Sequence, residues 1–222
     1  MWLIAVLMTS LQAVAAPRNY AGLRVEVEPE VRVSDRVRLD VAQMYRTHPG
    51  TTEWLTTAVV LVDLAGPWRL APGYRIGGSR DDGDWGLTHR VQLDLSWRQR
   101  TDWLSVELRQ RYQAGLPGAR PGLRHQTRTM ARVQATLPDV AVRPGVGVEG
   151  FFDLGHAPGS GSGPGVQRIR VDTSVAWPIG VFTPSITYRY EEPIRDRTRA
   201  RMHRVFLLFG VQLDARKGKT SP

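Results

Sequence analysis

The sequence predicts an all-β fold, a transmembrane antiparallel up-and-down β-barrel of 10–12 strands. Three observations predict it. Apolar and polar residues alternate with period two through most of the chain, the alternating segments are joined by connections of alternating length, and aromatic residues gather at segment ends.

Composition narrows the partners first. The 222 residues contain no cysteine, which removes disulfides, thiolate metal sites and sulfur redox chemistry. The net charge of +9 comes from 28 arginines and two lysines, Lys217 and Lys219. Such a balance raises nucleic acid as a partner, but these arginines are spread over alternating segments and form no single patch, so nucleic acid is not expected.

At the N-terminus, the apolar run Trp2 to Leu11 is followed by the small residues Ala13, Val14, Ala15 and Ala16. The run is shorter than the roughly 18 to 20 apolar residues of a membrane-spanning helix, so residues 1–15 read as a cleaved signal peptide. Residues 16–214 are then expected to form the barrel and 215–222 a polar tail.

From Leu23 to Val33 the odd positions are apolar or proline, while the even ones are Arg24, Glu26, Glu28, Glu30 and Arg32. That is the period of a strand. The pattern recurs at Val37 to Arg46, less regularly at Trp54 to Asp63 and Trp68 to Ile76, then at Leu87 to Arg98 and Leu104 to Tyr112. It continues at Thr127 to Leu137, Val142 to Leu154, Arg168 to Trp177, Phe182 to Glu191 and Arg204 to Leu213. Eleven segments result, although single-chain bacterial barrels are usually even-numbered, so ten or twelve strands are expected.

A soluble, lipocalin-like periplasmic barrel binding a small ligand would alternate in the same way, with the apolar set turned inward. The connections favour the membrane instead. Those at Ser34-Asp35-Arg36, Leu64 to Pro67, Gln99 to Asp102, Pro138-Asp139 and Ile179-Gly180 are short. Those at Thr47 to Thr52, Gly77 to Gly86, Gln113 to Leu123, Gly155 to Val166 and Glu192 to Met202 are long, the outer-membrane pattern. Two-residue turns at Pro138-Asp139 and Ile179-Gly180 would place Arg128 opposite Glu149, Trp177 opposite Phe182 and Arg168 opposite Glu191, but also Arg170 opposite Arg189. Trp68, Trp97, Trp103, Trp177 and Phe182 flank the short turns, while Tyr45, Trp54, Tyr112, Phe152, Tyr188 and Tyr190 lie towards the long loops, as two interfacial girdles.

The polar parity gathers one candidate constellation. It comprises Arg90, Arg98, Arg109, Arg111, Arg128, Arg132, Arg168, Arg170, Arg189 and Arg204, with Asp94, Glu107, Glu149 and Glu191 as acidic partners. A pore lined by basic groups favours anions, whereas a small barrel filled by an Arg/Glu ladder conducts little. Glu26, Glu28 and Glu30 would offset part of the surplus if closure brought them to Arg189 or Arg204.

No catalytic set, metal site or cofactor motif emerges. His48, His89, His125, His156 and His203 are dispersed, and His89 shares the apolar parity while Asp94 and Ser96 share the polar one, so they form no triad. Asp81, Asp82 and Asp84 lack a full calcium ligand set.

The succession Val91 to Trp97, Leu108 to Tyr112, Arg128 and Arg132, Glu149-Gly150-Phe151-Phe152-Asp153, Gln167 to Arg170, Tyr188-Arg189-Tyr190 and His203 to Leu208 resembles the bacterial family catalogued as domain of unknown function 2490. The resemblance runs from about Val25 to Leu213 and implies an outer-membrane barrel with no assigned activity. The chain departs from the usual barrel ending, since Leu213 is followed by Asp214 to Pro222 in place of a terminal aromatic residue. Together these readings predict an outer-membrane protein of a Gram-negative cell, non-enzymatic, without cofactor, in contact with lipid. It would serve as a structural barrel or as a narrow channel for small anionic solutes; a barrel enzyme acting on lipid is the less favoured alternative.

N-terminal sequencing of the protein recovered from a Gram-negative envelope is expected to begin at Ala16. A start at Met1 would refute cleavage.

Overall fold

The computed structural model describes residues 19–48, 51–81, 84–116, 124–137, 140, 142–156, 164–194 and 201–214. The alternating segments become eleven strands: β1 (Asn19–Arg32), β2 (Val37–His48), β3 (Thr51–Asp63), β4 (Trp68–Asp81), β5 (Asp84–Arg100), β6 (Leu104–Leu116), β7 (Arg124–Ala135), β8 (Arg143–His156), β9 (Gly165–Ala176), β10 (Phe182–Pro193) and β11 (Arg201–Asp214). Each strand pairs antiparallel with its neighbours in sequence, and β1 closes the barrel on β11.

The even strand number expected from the sequence does not arise. With eleven strands the first and last run in the same direction, and closure is made by a parallel ladder from Asn19↔Arg201 to Arg32↔Asp214. Parallel hydrogen bonds are slanted but evenly spaced, so a seam of this length satisfies both strand edges as an antiparallel one would.

Which face lies inside follows from burial. Among the described residues, fifteen polar or charged side chains are buried against seven apolar ones, so the interior is polar. Leu93, Leu95, Leu108, Val133, Val146, Val148, Ile186 and Phe209 lie exposed on the outer wall. This excludes the lipocalin-like arrangement, whose apolar set would fill the interior. An outer wall of this composition matches the hydrocarbon of a bilayer.

The connections differ from expectation. The hairpins β2–β3 and β4–β5 are joined by only two residues each, 49–50 and 82–83, because Thr47, His48, Thr51 and Thr52 and most of Gly77 to Gly86 extend the strands. Long connections on that side are confined to 117–123, 157–164 and 194–200. On the other side, 64–67 and 177–181 turn through Gly66 (φ +66°) and Gly180 (φ +60°), a left-handed backbone that glycine adopts without strain.

Two registers also shift. The connection at Pro138-Asp139 spans residues 136–142, and that at Ile179-Gly180 spans 177–181. Each partner therefore moves by two residues. Arg128 pairs with Phe151 and Met130 with Glu149, while Arg170 pairs with Glu191 and Arg189 with Asp172. The expected like-charge neighbours Arg170 and Arg189 are thereby separated, each gaining an acid opposite, which is the favourable cross-strand arrangement.

The two faces should respond oppositely to substitution. Leu93→Arg or Val171→Arg is expected to destabilise the barrel by about 2–4 kcal/mol near the middle of a bilayer. Ser105→Gln, on the inward parity of β6, should stay within about 0.5 kcal/mol. Urea titration of the folded barrel in phospholipid vesicles measures both.

Candidate functional site

Among the side chains described, the inward parity of β5 to β11 carries Arg90, Arg98, Arg100, Arg109, Arg111, Arg128, Arg132, Arg143, Arg168, Arg170, Arg189 and Arg204 against Asp94, Glu107, Glu149, Asp153, Asp172 and Glu191. Twelve guanidinium groups thus face six carboxylates. Among the side chains described on β1 to β4 the balance reverses narrowly, with Glu26, Glu28, Glu30, Asp40, Glu53 and Asp63 against Arg32, Arg38, Arg46, Arg69 and Arg75. One wall of the lumen is basic and the other mildly acidic.

The centre of the basic wall is built on β7, β8 and β9. Phe151, fully buried, turns its ring inward from β8 and holds the guanidinium carbons of Arg128, Arg168 and Arg170 at 4.5, 4.2 and 4.4 Å from its centroid. A ring quadrupole attracts such cations, more strongly where water is excluded. Two carboxylates cross-link the group. Glu149 accepts from Arg170 at 2.7 Å and from Arg109 at 3.4 Å, and Glu191 accepts from Arg170 at 2.9 Å and Arg168 at 3.0 Å.

Arg128 is the exception. It is buried, its Nε donates to Gln126 Oε1 at 3.3 Å, and no carboxylate forms an ion pair with it among the described residues. Its sequence-expected partner, Glu149, is taken by Arg170 and Arg109 because of the two-residue register shift. Arg204 is likewise buried, donating to Met202 Sδ at 2.7 Å. Arg109 and Arg168 keep 23% and 30% of their side-chain surface exposed within the barrel, so water-sized space reaches the cluster.

The remaining expected residues fall into separate groups. Arg111 and Asp94 form a two-point ion pair with both contacts at 2.6 Å, and Arg189 and Asp172 form another with the same distances. Arg98 meets Glu107 at 2.8 Å with Arg98 largely exposed, and Arg132 reaches Ser174 Oγ at 3.5 Å. Arg90 stands opposite Arg75 in the β4–β5 register. Closure does not bring Glu30 to Arg189 or Arg204: Glu30 pairs with Arg38 at 3.3 Å, and in the β1–β11 ladder Arg204 lies opposite Gly22.

The aromatic residues divide between the two ends. Trp68, Trp103 and Phe182 are exposed, and Trp97 and Trp177 partly so, at the end of connections 64–67, 101–103 and 177–181. Tyr45, Tyr112 and Tyr188 are exposed, and Tyr190 partly so, towards the opposite end. The side chains of Asp81, Asp82 and Asp84 lie outside the described residues, as do residues 1–18 and 215–222.

Sequence reasoning passed over Phe151, Phe206, Asp172 and Tyr74. Parity was the available signal: Phe151 alternates with Glu149 and Asp153, and Phe206, which carries Arg189 at 4.5 Å from its ring centroid, alternates with Arg204. A phenylalanine on the charged parity of a strand is a position where cations have a platform.

The model of the family described as "Protein of unknown function (DUF2490)" matches residues 1–191. No curated protein matches. Among solved structures, a chain titled "KdgM porin" is similar over 78% of this chain and 91% of its own, with 14% identity and a TM-score of 0.48.

Removing one member of the buried pair should leave a charge uncompensated. Glu149→Gln is expected to cost about 3–5 kcal/mol of stability, read as a lower urea midpoint in detergent. The double variant Glu149→Gln with Arg170→Gln should recover much of that loss. A double variant as unstable as the sum of the singles would show that the two groups are not coupled.

Proposed function

The chain belongs to the DUF2490 family, described as of unknown function, and from that premise we propose that it is an outer-membrane barrel of a Gram-negative cell acting as a narrow channel for small anionic solutes. Residues 1–15 serve as its cleaved export signal, 16–214 as the barrel and 215–222 as a periplasmic tail.

The observation that carries this reading is Arg128: buried, stacked on Phe151 beside two other guanidiniums and, among the described residues, with no carboxylate at ion-pair distance. A buried guanidinium without a directly bonded carboxylate is costly to keep in a dry interior, and the nearby Glu149 is already bonded to Arg170 and Arg109. Water and anions entering the lumen supply the missing partner. The surplus of arginine over acid on β5 to β11 extends that attraction along the basic wall, and a basic constriction admits anions in preference to cations.

One observation favours a second reading, a closed structural barrel. Arg170, Glu149 and Glu191 are buried in mutual ion pairs, and a network of this kind fills a lumen as well as lining it.

Planar-bilayer recording separates the two. The purified barrel, which should run as a heat-modifiable band from the membrane fraction, is expected to pass chloride in preference to potassium. Replacing Arg109, Arg128 and Arg170 by glutamate should reverse the preference, more strongly at low salt, where screening is weaker. A folded barrel with no conductance would favour the structural reading, and a preference indifferent to the substitutions would remove these arginines from the pore wall.

A further inference from the structure

We propose that three tyrosine–histidine pairs on the outer wall, Tyr74–His89, Tyr112–His125 and Tyr188–His203, are seats for unshielded phosphate groups of membrane lipids; the inference rests on the membrane reading above.

The three sites repeat one geometry. Each bridges a different hairpin, β4–β5, β6–β7 and β10–β11. In each, the tyrosine hydroxyl meets histidine Nδ1, at 2.5, 2.5 and 2.6 Å, with ring centroids 6.1, 5.9 and 6.1 Å apart. In each, the histidine sits two residues nearer the hairpin connection than the residue directly opposite the tyrosine, which is Val91, Thr127 and Val205 in turn. Every histidine whose side chain is described belongs to such a pair. Three unrelated stretches of sequence converging on one diagonal arrangement call for a common reason.

All three lie on the outward parity, and in each the histidine stands in the half of its strand nearer the connection, 82–83, 117–123 and 194–200 in turn. The opposite end carries Trp68, Trp97, Trp103, Trp177 and Phe182 and, among the described residues, no histidine. The two membrane surfaces therefore meet different chemistry. Aromatic residues alone would suit either surface, so the histidines mark a demand specific to one.

The pairing supplies donors in either protonation state. A neutral imidazole accepting the tyrosine hydrogen at Nδ1 keeps Nε2–H for an external acceptor. An imidazolium donates from Nδ1 to the tyrosine oxygen, leaving both the phenolic hydrogen and Nε2–H available. Donors on a wall otherwise facing hydrocarbon must be met, and at the edge of a bilayer the abundant strong acceptor is phosphate oxygen. Arg80 on β4 and Arg201 on β11 stand exposed on the same outward parity, nearer the connections. The third site differs in one respect: Glu192 pairs with Arg201 at 3.0 Å and accepts from Tyr190, whose ring also lies 5.2 Å from that of His203. That carboxylate competes with a lipid phosphate, so the first two sites should bind more tightly.

The test uses the full barrel refolded into phosphatidylcholine vesicles with and without phosphatidic acid, whose phosphate is unshielded. Retained lipid is counted by native mass spectrometry. The wild type is expected to keep phosphatidic acid in preference to phosphatidylcholine. His89→Phe and His125→Phe should each weaken that retention about tenfold, and His203→Phe less. Phosphatidylcholine retention should not change. Tyr74→Phe and Tyr112→Phe, which keep the ring and the histidine, should give intermediate losses. Heat-modifiable electrophoresis verifies that each variant is folded. Equal retention of phosphatidic acid by wild type and the His89→Phe, His125→Phe, His203→Phe variant would overturn the proposal, leaving the pairs as belt aromatics or a contact for another protein. Failure of the wild type to enter vesicles at all would instead overturn the membrane reading, and this proposal with it.

Discussion

Closing a sheet with its apolar residues outward forces every inward charge of the chain into one shared interior, and the rest of the structure answers to that constraint. A charge on an open sheet can turn to solvent. Inside an eleven-stranded barrel it must find an acid, a ring, an amide or a channel of water. The described arginines use the first three: Arg111 has Asp94, Arg170 has two glutamates and a ring, and Arg128 has a ring and Gln126. Register is the variable that distributes them. Sliding β10 against β9 by two residues preserves which face every side chain occupies, yet exchanges an Arg170–Arg189 clash for Arg170–Glu191 and Arg189–Asp172.

This explains which parts of the fold were legible in the sequence. Parity survives any slip of two residues, so the outward setting of Leu93 and the inward setting of Arg128 or Glu149 could be read from alternation alone. Register could not, because it depends on how many residues each connection takes up. Pro138-Asp139 and Ile179-Gly180 look like tight turns, but their flanking residues leave the ladder early, and the bridge Ile179↔Phe182 forms a small turn of its own. The converse error occurred at Gly77 to Gly86, where glycine-rich composition suggests a loop. Gly77 and Gly78 instead belong to β4, and a Cβ at Gly77 would lie 2.7 Å from the carbonyl oxygen of Trp54. Glycine there serves close strand approach and not chain reversal.

The candidate site was legible in its members and not in its partnerships. Alternation collects the arginines and their acids, but a buried ion pair is decided by a difference of one ladder step, about 7 Å along a strand. Phe151 illustrates the rest of the gap. On composition it reads as one more apolar residue beside Phe152, and only its parity with Glu149 and Asp153 places it among charges. Once inside, it lets three like charges lie close together, since each guanidinium is drawn to the ring while the flanking carboxylates limit their mutual repulsion.

That arrangement bears on how a basic lumen would conduct. A wall of unpaired arginines would bind an anion too tightly to release it, and a fully paired wall would bind nothing; passage needs attraction strong enough for entry and weak enough for exit. Glu149 and Glu191 hold Arg170 from both sides, so its charge is spent locally, while Arg128 on the same ring keeps its own. The graded mixture along β7, β8 and β9 leaves a net positive potential without a deep trap. On the proposed reading, the carboxylates of the basic wall are therefore part of its transport chemistry: they set how briefly an anion stays, as the arginines set whether it enters.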